Sequence, residues 1–333
     1  MTTHPILRTT LNIAVYINIF YTRILLSIMT THTDNSLTIR ILTHNIRTSL
    51  TLSLDPKKRW GIRKQYIINQ LHFETIHIPE AIICLQEARH GQLQDILNGL
   101  NSRSPTVSWK SVGCGRDGGE WGEYSPIIYR SSIWDVEWSA TKWLSDTPDK
   151  PSYSWGSWYR RIVTSGVLRH KETNRRILAM NTHLDDSSVE SRFKGAHLIL
   201  KWVDEWLKES KGEIAGLFLA GDFNTESQDQ SDAYGVLTAP NALSDSKAHV
   251  DESHQYGNKN SWTDFNDDPN EDALYDYILV GPVTDEWTPW NVETYAILPN
   301  KFDDGVFSSD HRPVVVDVGL SSYDCDGKTY YVT

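Results

Sequence analysis

Short apolar runs that end on an acid, an amide or a histidine recur along this chain, and that recurrence limits its fold more than any other feature. The sharpest case is Leu217-Phe-Leu-Ala220, which runs into Gly221-Asp222-Phe223-Asn224. A brief apolar run bounded by turn residues is how a strand buried on both faces reads in sequence. Ending such a strand on a carboxylate is costly unless the acid is solvated, paired or bound to a cation. Gly221 allows a sharp turn, and the two-residue step puts Asp222 and Asn224 on one side if the path stays extended. Taken alone, the stretch also reads as an ordinary Asx turn.

The pattern repeats. Leu37 to Leu42 ends at His44-Asn45, Ala81 to Leu85 ends on Gln86-Glu87, and Arg176 to Met180 leads to Asn181, His183 and Asp185. Asp276 interrupts Leu274 to Val280, and Asp310-His311 precedes the strand Val314 to Val318. After Gly113 to Gly119 a further strand is expected over Ser125 to Tyr129. Between these runs the apolar spacing is helical: Ile62, Tyr66, Ile67 and Leu71, then Gln92 to Leu100. Phe193, Ala196, Leu200, Val203 and Leu207 mark one face of another helix, with Ser187 or Ser188 as its cap. Strands alternating with helices in both halves predict an α/β fold of sheets covered by helices.

A chain of 333 residues with 39% hydrophobic and 23% charged residues can bury one large core. Its net charge of −11 argues against tight, sequence-independent duplex binding, which depends on a basic face. A phosphate ester remains compatible, because bound metal can supply positive charge locally. Cys84, Cys114 and Cys325 are odd in number and far apart, which predicts free thiols rather than a disulfide framework or zinc site. No Asn-x-Ser/Thr sequon occurs, which favours a cytoplasmic location. The apolar stretch Leu11 to Tyr21 is too short for a membrane span, and as a signal peptide for secretion it lacks a good cleavage site. Because Met-Thr-Thr-His stands at Met1 and again at Met29, Met29 is the expected working start. The expected organisation is an N-terminal extension over 1–36, one folded domain over 37–320 and a tail over 321–333. Gly113 to Gly119 lacks the Gly-Lys-Ser/Thr ending of a nucleotide-binding loop. Trp143 to Arg161 reads as a surface loop packed by its own aromatics, ahead of a substrate platform.

A lone strand-end acid is usually solvated, and a lone histidine is usually structural. Several separate strands ending this way are harder to explain as structure. Together HNIR (44–47), LQEA (85–88), THLD (182–185), GDFN (221–224), YDYILV (275–280) and SDHRP (309–313) resemble the endonuclease/exonuclease/phosphatase, or DNase I-like, superfamily. The segment from Gly115 to Arg130 looks like its branch of largely uncharacterised fungal and bacterial members. That resemblance implies a four-layer α/β/β/α sandwich of two mixed sheets flanked by helices, with the site where the sheets open.

Phosphate ester hydrolysis needs in-line attack by water, shielding of the phosphoryl charge and stabilisation of the leaving oxygen. Hard oxygen ligands suit Mg²⁺ or Mn²⁺, with Glu87 the first candidate and Asn45 and Asp310 beside it. By resemblance, His311 acts as base or polarises the phosphate, and Asp222 orients or deprotonates water. Asn224 would bind the phosphate or hold the site, His183 would contact phosphate or assist the leaving group, and Asp276 would orient a histidine. Arg116, Tyr124 and Arg161 are candidate substrate contacts, though an ordinary surface arginine is as good a reading of each arginine. Asp186 stands where many members of this branch carry a second histidine. The leading expectation is a metal-dependent phosphodiesterase acting on nucleic acid or nucleotide. An inositol-phosphate phosphatase or phospholipase-like enzyme comes second, and a non-catalytic binding protein third. Neither a stable protein partner nor membrane insertion is expected.

Overall fold

The computed structural model describes residues 37–320 apart from 51–53, 104–105, 107, 211, 227–230 and 285–287, and the backbone of two short strands beyond them. The expected extension over 1–36, with its candidate start at Met29, lies outside the described residues. In chain order the strands are β1 (Leu37–Asn45), β2 (Ile82–Gln86), β3 (Ala88–Arg89), β4 (Trp109–Val112), β5 (Glu123–Tyr124), β6 (Ile127–Arg130), β7 (Trp134–Trp143), β8 (Ile162–His170), β9 (Arg176–His183), β10 (Ile214–Asp222), β11 (Ser244–Asp245), β12 (Gln255–Gly257), β13 (Asp276–Gly281), β14 (Trp290–Ile297) and β15 (Val314–Leu320). Within the expected tail, β16 (Ser322–Cys325) and β17 (Lys328–Tyr331) form an antiparallel hairpin. The helices are α1 (Trp60–Thr75), α2 (His90–Asn101), α3 (Val189–Glu209) and the short α4 (Ala233–Leu237).

Two large mixed sheets carry the fold. One runs β12-β14-β15-β1-β2-β6-β4, the other β11-β13-β10-β9-β8-β7. Their central strands are apolar on both faces, as period-two alternation requires of a sheet sandwiched between layers. In β10, Phe218 and Ala220 face a core shared with Ile39 and Ile41 of β1 and Val314 and Val316 of β15. Leu217 and Leu219 face the other way, against Ala196, Ile199 and Val203 of α3. The first sheet repeats the arrangement: Leu42, Ile83 and Ile128 pack on Ile67 and Leu71 of α1 and Ile96 of α2. Each fully buried side chain of this kind contributes about 1.5–3 kcal/mol relative to exposure. The result is a four-layer α/β/β/α sandwich of the DNase I-like type.

Ser188 caps α3 by accepting a hydrogen bond from the Ser191 amide, one of the two expected caps. The longest strands without an apolar signature in the sequence are β7 and β8, where Trp, Ser, Thr and charged residues break the apolar signal, and β14, where polar residues alternate; the four-residue β4 and the two- and three-residue strands carry no such signature either. The buried face of α1 also differs from its expected one. Ile62 is exposed, whereas Arg63 is fully buried. Cys84 and Cys114 are free, as expected, and no described helix is long and apolar enough to cross a membrane.

Candidate active site

The parallel pairings β1–β2 and β9–β10 deliver chain ends to one edge of the sandwich. Asn45 lies opposite Gln86 in the first sheet, and Asp222 lies opposite His183 in the second. Asp276 opens β13 rather than ending a strand; antiparallel pairing sets it opposite Asp222 from the other side. Directly opposed residues on neighbouring strands hold their side chains about 5 Å apart. His183, Asp222 and Asp276 are therefore brought side by side by sheet register alone.

Just behind these tips a buried amide bridge joins the sheets. Gln86 Nε2 donates to Asn181 Oδ1 at 2.7 Å and to Thr43 Oγ1 at 2.9 Å, while Asn181 Nδ2 donates to the Leu85 and Pro126 carbonyls. Four hydrogen bonds at that position fix the separation of the two walls, although Gln86 Oε1 is buried without a partner. Gly221 is needed here for close approach: a Cβ on it would lie 2.1 Å from the Thr182 carbonyl oxygen.

The tips converge on Asp222. Its Oδ2 accepts from Asn45 Nδ2 at 2.9 Å and lies 3.6 Å from His183 Nε2 and 3.7 Å from His311 Nε2. Its Oδ1 accepts the Asn224 amide at 3.0 Å. His311 Nδ1 pairs with Asp276 Oδ2 at 2.7 Å, which orients the imidazole towards Asp222. Burial and the neighbouring Asp276 push the Asp222 carboxyl up to about 7. Burial opposes charge on His311, but Asp276 and Asp222 outweigh it and raise the imidazole to about 10. His183 is pushed well below its ordinary value by burial and by Arg161 and Arg116, so it is neutral.

Glu87 stands across the cleft from this group. Asn45 Nδ2 donates to its Oε1 at 3.1 Å, the Thr48 amide donates to its Oε2 at 2.8 Å, and Arg47 lies 3.6 Å away. Burial alone would raise the Glu87 carboxyl, but Arg47, the Thr48 amide and Asn45 together hold it below the usual range. Asp310 sits behind, 3.3 Å from Arg47, and is pushed up by burial. Three residues here, Arg47 (φ 53°), Glu87 (φ 58°) and Asn224 (φ 50°), hold left-handed backbone conformations that cost L-residues energy. Strain of that kind concentrates where a side chain must be aimed.

A cleft of about 510 Å³ opens over these groups. Glu87, His183, Asp222, Asn224 and His311 line it, as do Arg116 and Arg161. Asn45, Asp276 and Asp310 stand behind that lining, in contact with it. Tyr124 is not brought to the cleft: its hydroxyl bonds to His90 Nδ1 and the Gly119 carbonyl. Among residues the sequence reading passed over, Arg47, Glu123, Tyr159, Trp262 and Tyr275 also line the cleft. Arg63 is a hidden support, donating from α1 to the Ile46, Arg47 and Ser308 carbonyls. Its sequence signal was a charged residue at the i, i+4 spacing of Ile67 and Leu71.

The donor set fits a hard divalent cation. Four carboxylates, Glu87, Asp222, Asp276 and Asp310, are buried close together, and Asp276 Oδ1 has no hydrogen-bond partner. Asp222, Asp276 and His311 each present an atom within 4.8 Å of the others, and His311 Nδ1 is hydrogen-bonded to Asp276 Oδ2 within that group. Glu87 is free of such a pairing with histidine.

A crystal structure of an endonuclease/exonuclease/phosphatase family protein from Bacteroides thetaiotaomicron matches 86% of this chain and 99% of its own, at 27% identity and a TM-score of 0.72. A mannosyl-6-phosphatase of the same bacterium matches 84% of this chain and 99% of its own, again at 27% identity, with a TM-score of 0.71. An uncharacterised protein of Acanthamoeba polyphaga mimivirus is 28% identical over 198 residues, 56% of this chain and 68% of that protein. The family model for the Endonuclease/Exonuclease/phosphatase family spans residues 42–311, from the middle of β1 to the histidine paired with Asp276, and the chain belongs to that family.

Proposed function

We propose that this protein is a divalent-cation-dependent hydrolase of compact phosphate esters, acting by in-line attack of water. One atom carries the reading. Asp222 Oδ2 is shared between Asn45 on the first sheet and the two imidazoles, where a water and a phosphoryl oxygen can be held together. Asp222, held near neutrality, takes the proton of the attacking water. His311, kept protonated by Asp276 and Asp222, shields a phosphoryl oxygen. Neutral His183 offers an N–H to the leaving oxygen, and Asn224, whose Nδ2 is fixed on the Leu184 carbonyl, orients the phosphate. Arg47, Arg116 and Arg161 spread the remaining charge.

Glu87 and Asn45, with Asp310 behind them, would hold Mg²⁺ or Mn²⁺, which supplies Lewis acidity at the phosphoryl group. Asn45 now points its nitrogen at Glu87 and Asp222, so ligation through oxygen requires its amide to rotate. A compact substrate is placed ahead of nucleic acid on charge. Arg116 is paired with Glu123, Arg161 with Asp185 and Asp186, and Arg160 with Asp117, in a chain of net charge −11. Such paired arginines offer a spot for one phosphate rather than a track for a polyanion. The similarity to a mannosyl-6-phosphatase supports the same ranking.

The test is a panel of phosphate monoesters, bis(p-nitrophenyl) phosphate, single-stranded DNA, poly(A), inositol phosphates and sphingomyelin, each with chelator and with Mg²⁺. Metal-dependent turnover of monoesters is the expected result. Hydrolysis of the polymers alone would reverse the ranking, and no turnover of any ester would remove the enzymatic reading.

A further inference from the structure

The stretch from Leu144 to Arg161, between β7 and β8, holds a group of contacts that its role as a connection does not require. Tyr159 lines the cleft, and the Arg116 guanidinium lies over its ring at 4.6 Å. Arg116 is itself fixed, with Nη1 2.6 Å from Glu123 and its carbonyl accepting from Trp143 Nε1 at 2.7 Å. Even so, 48% of Tyr159 remains exposed. A tyrosine ring held in place yet open to the solvent has lost conformational freedom without the full gain of burial.

The anchor of this arrangement is buried. Asp185 Oδ2 accepts from Ser157 Oγ at 2.8 Å and from Arg161 Nε at 3.3 Å. Its Oδ1 accepts the amides of Ser187 and of Ser188, the cap of α3. The Ser157 hydroxyl also lies against the Tyr159 carbonyl, so its single proton is shared between that oxygen and Asp185. One carboxylate, two residues after His183, therefore ties both sides of Tyr159 to the strand end that carries the histidine. Two further carboxylates of the lining, Glu123 and Asp186, are each held by an arginine. Carboxylate–arginine pairs beside an aromatic face suit a ring that offers hydroxyl donors on its rim and C–H groups on its face.

We infer that this loop is the leaving-group half of the substrate site: Tyr159 is the floor under a polyhydroxylated sugar ring whose phosphate lies over Asp222, and Asp185 is the positioning residue that sets that floor. The inference rests on the phosphate-ester reading above and names its substrate class as a hexose phosphate. Hydrolysis forms a bond from the water oxygen to phosphorus and breaks the bond from phosphorus to the sugar oxygen; the proton that Asp222 takes from the water is returned to that oxygen, which leaves as the alcohol.

The experiment compares mannose 6-phosphate, glucose 6-phosphate, adenosine 5′-monophosphate and glycerol phosphate, with Mg²⁺ and the full chain. Hexose phosphates should exceed glycerol phosphate in kcat/KM by roughly 10-fold or more, the scale of one well-made ring contact. Tyr159→Ala should lower that ratio by about 10-fold, chiefly through KM, while Tyr159→Phe retains it. Asp185→Asn should lower the ratio in the same direction. Ser157→Ala, a milder change, should do so to a smaller extent if the asparagine variant fails to fold. An unchanged ratio in Tyr159→Ala and Ser157→Ala would overturn the platform. Preference for the adenosine ester, lost in Tyr159→Ala, would replace the sugar by a base. Equal turnover of glycerol and hexose phosphates would also end this inference but leave the phosphoesterase standing, whereas no turnover of any ester would take both.

Discussion

Two corners of the same cleft handle buried charge in opposite ways. At Glu87, an arginine, a backbone amide and an asparagine amide keep the carboxylate ionised despite its burial. At Asp222, a second carboxylate stands opposite in the sheet and an imidazole shares the space, so protons are retained. Similar burial thus gives one acid prepared for a cation and another prepared to exchange a proton near neutral pH. The difference comes from neighbours, not residue type. A single site can then divide metal holding from proton transfer between two acids on different sheets.

The largest effects should fall on the proton-handling corner. Asp222→Ala and His311→Ala should each lower kcat by about 10²–10⁴-fold, the range for loss of a positioned acid or base. Neither removes a large apolar side chain, so melting temperatures should stay within a few degrees of the parent. Full activity in both variants would end the assignment. Glu87→Gln tests the other corner: it should raise the Mg²⁺ concentration for half-maximal rate by roughly 10–100-fold, with recovery at high metal. Loss of kcat without any change in metal demand would move Glu87 out of the cation site. Asp276→Asn should be milder, lowering kcat about 10–100-fold and shifting the alkaline limb of its pH profile to lower pH. That shift follows because Asp276 is the first of the charges that keep His311 protonated.

Much of this contrast was legible as residue type and order. Strand tips ending on Asn45, Glu87, His183 and Asp222 could be read because central strands are apolar on both faces, so a polar terminus stands out. The layers followed from the same signal. What could not be read was the charge state of each acid, since that depends on cross-strand register. Nothing in Tyr275-Asp276-Tyr277 announces that Asp276 will face Asp222 from an antiparallel strand. Arg63 was lost because a helix period marks a buried face but not which polar residue is carried into it. Glu123 and Tyr159 lie on a two-residue strand and in a loop, where no periodicity exists to point inward. Tyr124, next to Glu123, shows the converse: alternation along β5 turns neighbouring side chains in opposite directions, and only one of the pair lines the cleft.

The smallest effect is in stability, and it isolates the proton-handling corner from the metal. In chelator, His311 has its folded-state value raised from 6.5 to about 10, so its contribution is fully present below pH 6.5 and is lost as the pH rises through 10. Asp222, raised from 3.8 to about 7, contributes below pH 3.8 and has lost that contribution once the pH passes 7. Between pH 7 and 10 the corner's slope therefore belongs to His311, and the melting temperature should fall there. Asp276→Asn removes the hydrogen-bonded charge that raises His311, so its melting curve should decline less over the same window, with a difference on the order of a few degrees. Glu87→Gln should not flatten the slope, because the lowered Glu87 carboxyl contributes above the ordinary glutamate range and is already fully ionised at pH 7. Calorimetry of the three proteins in chelator at half-unit steps reads this directly. Equal slopes for the parent and Asp276→Asn would mean that His311 is not held protonated by Asp276, and the two corners would no longer differ in the way their geometry indicates.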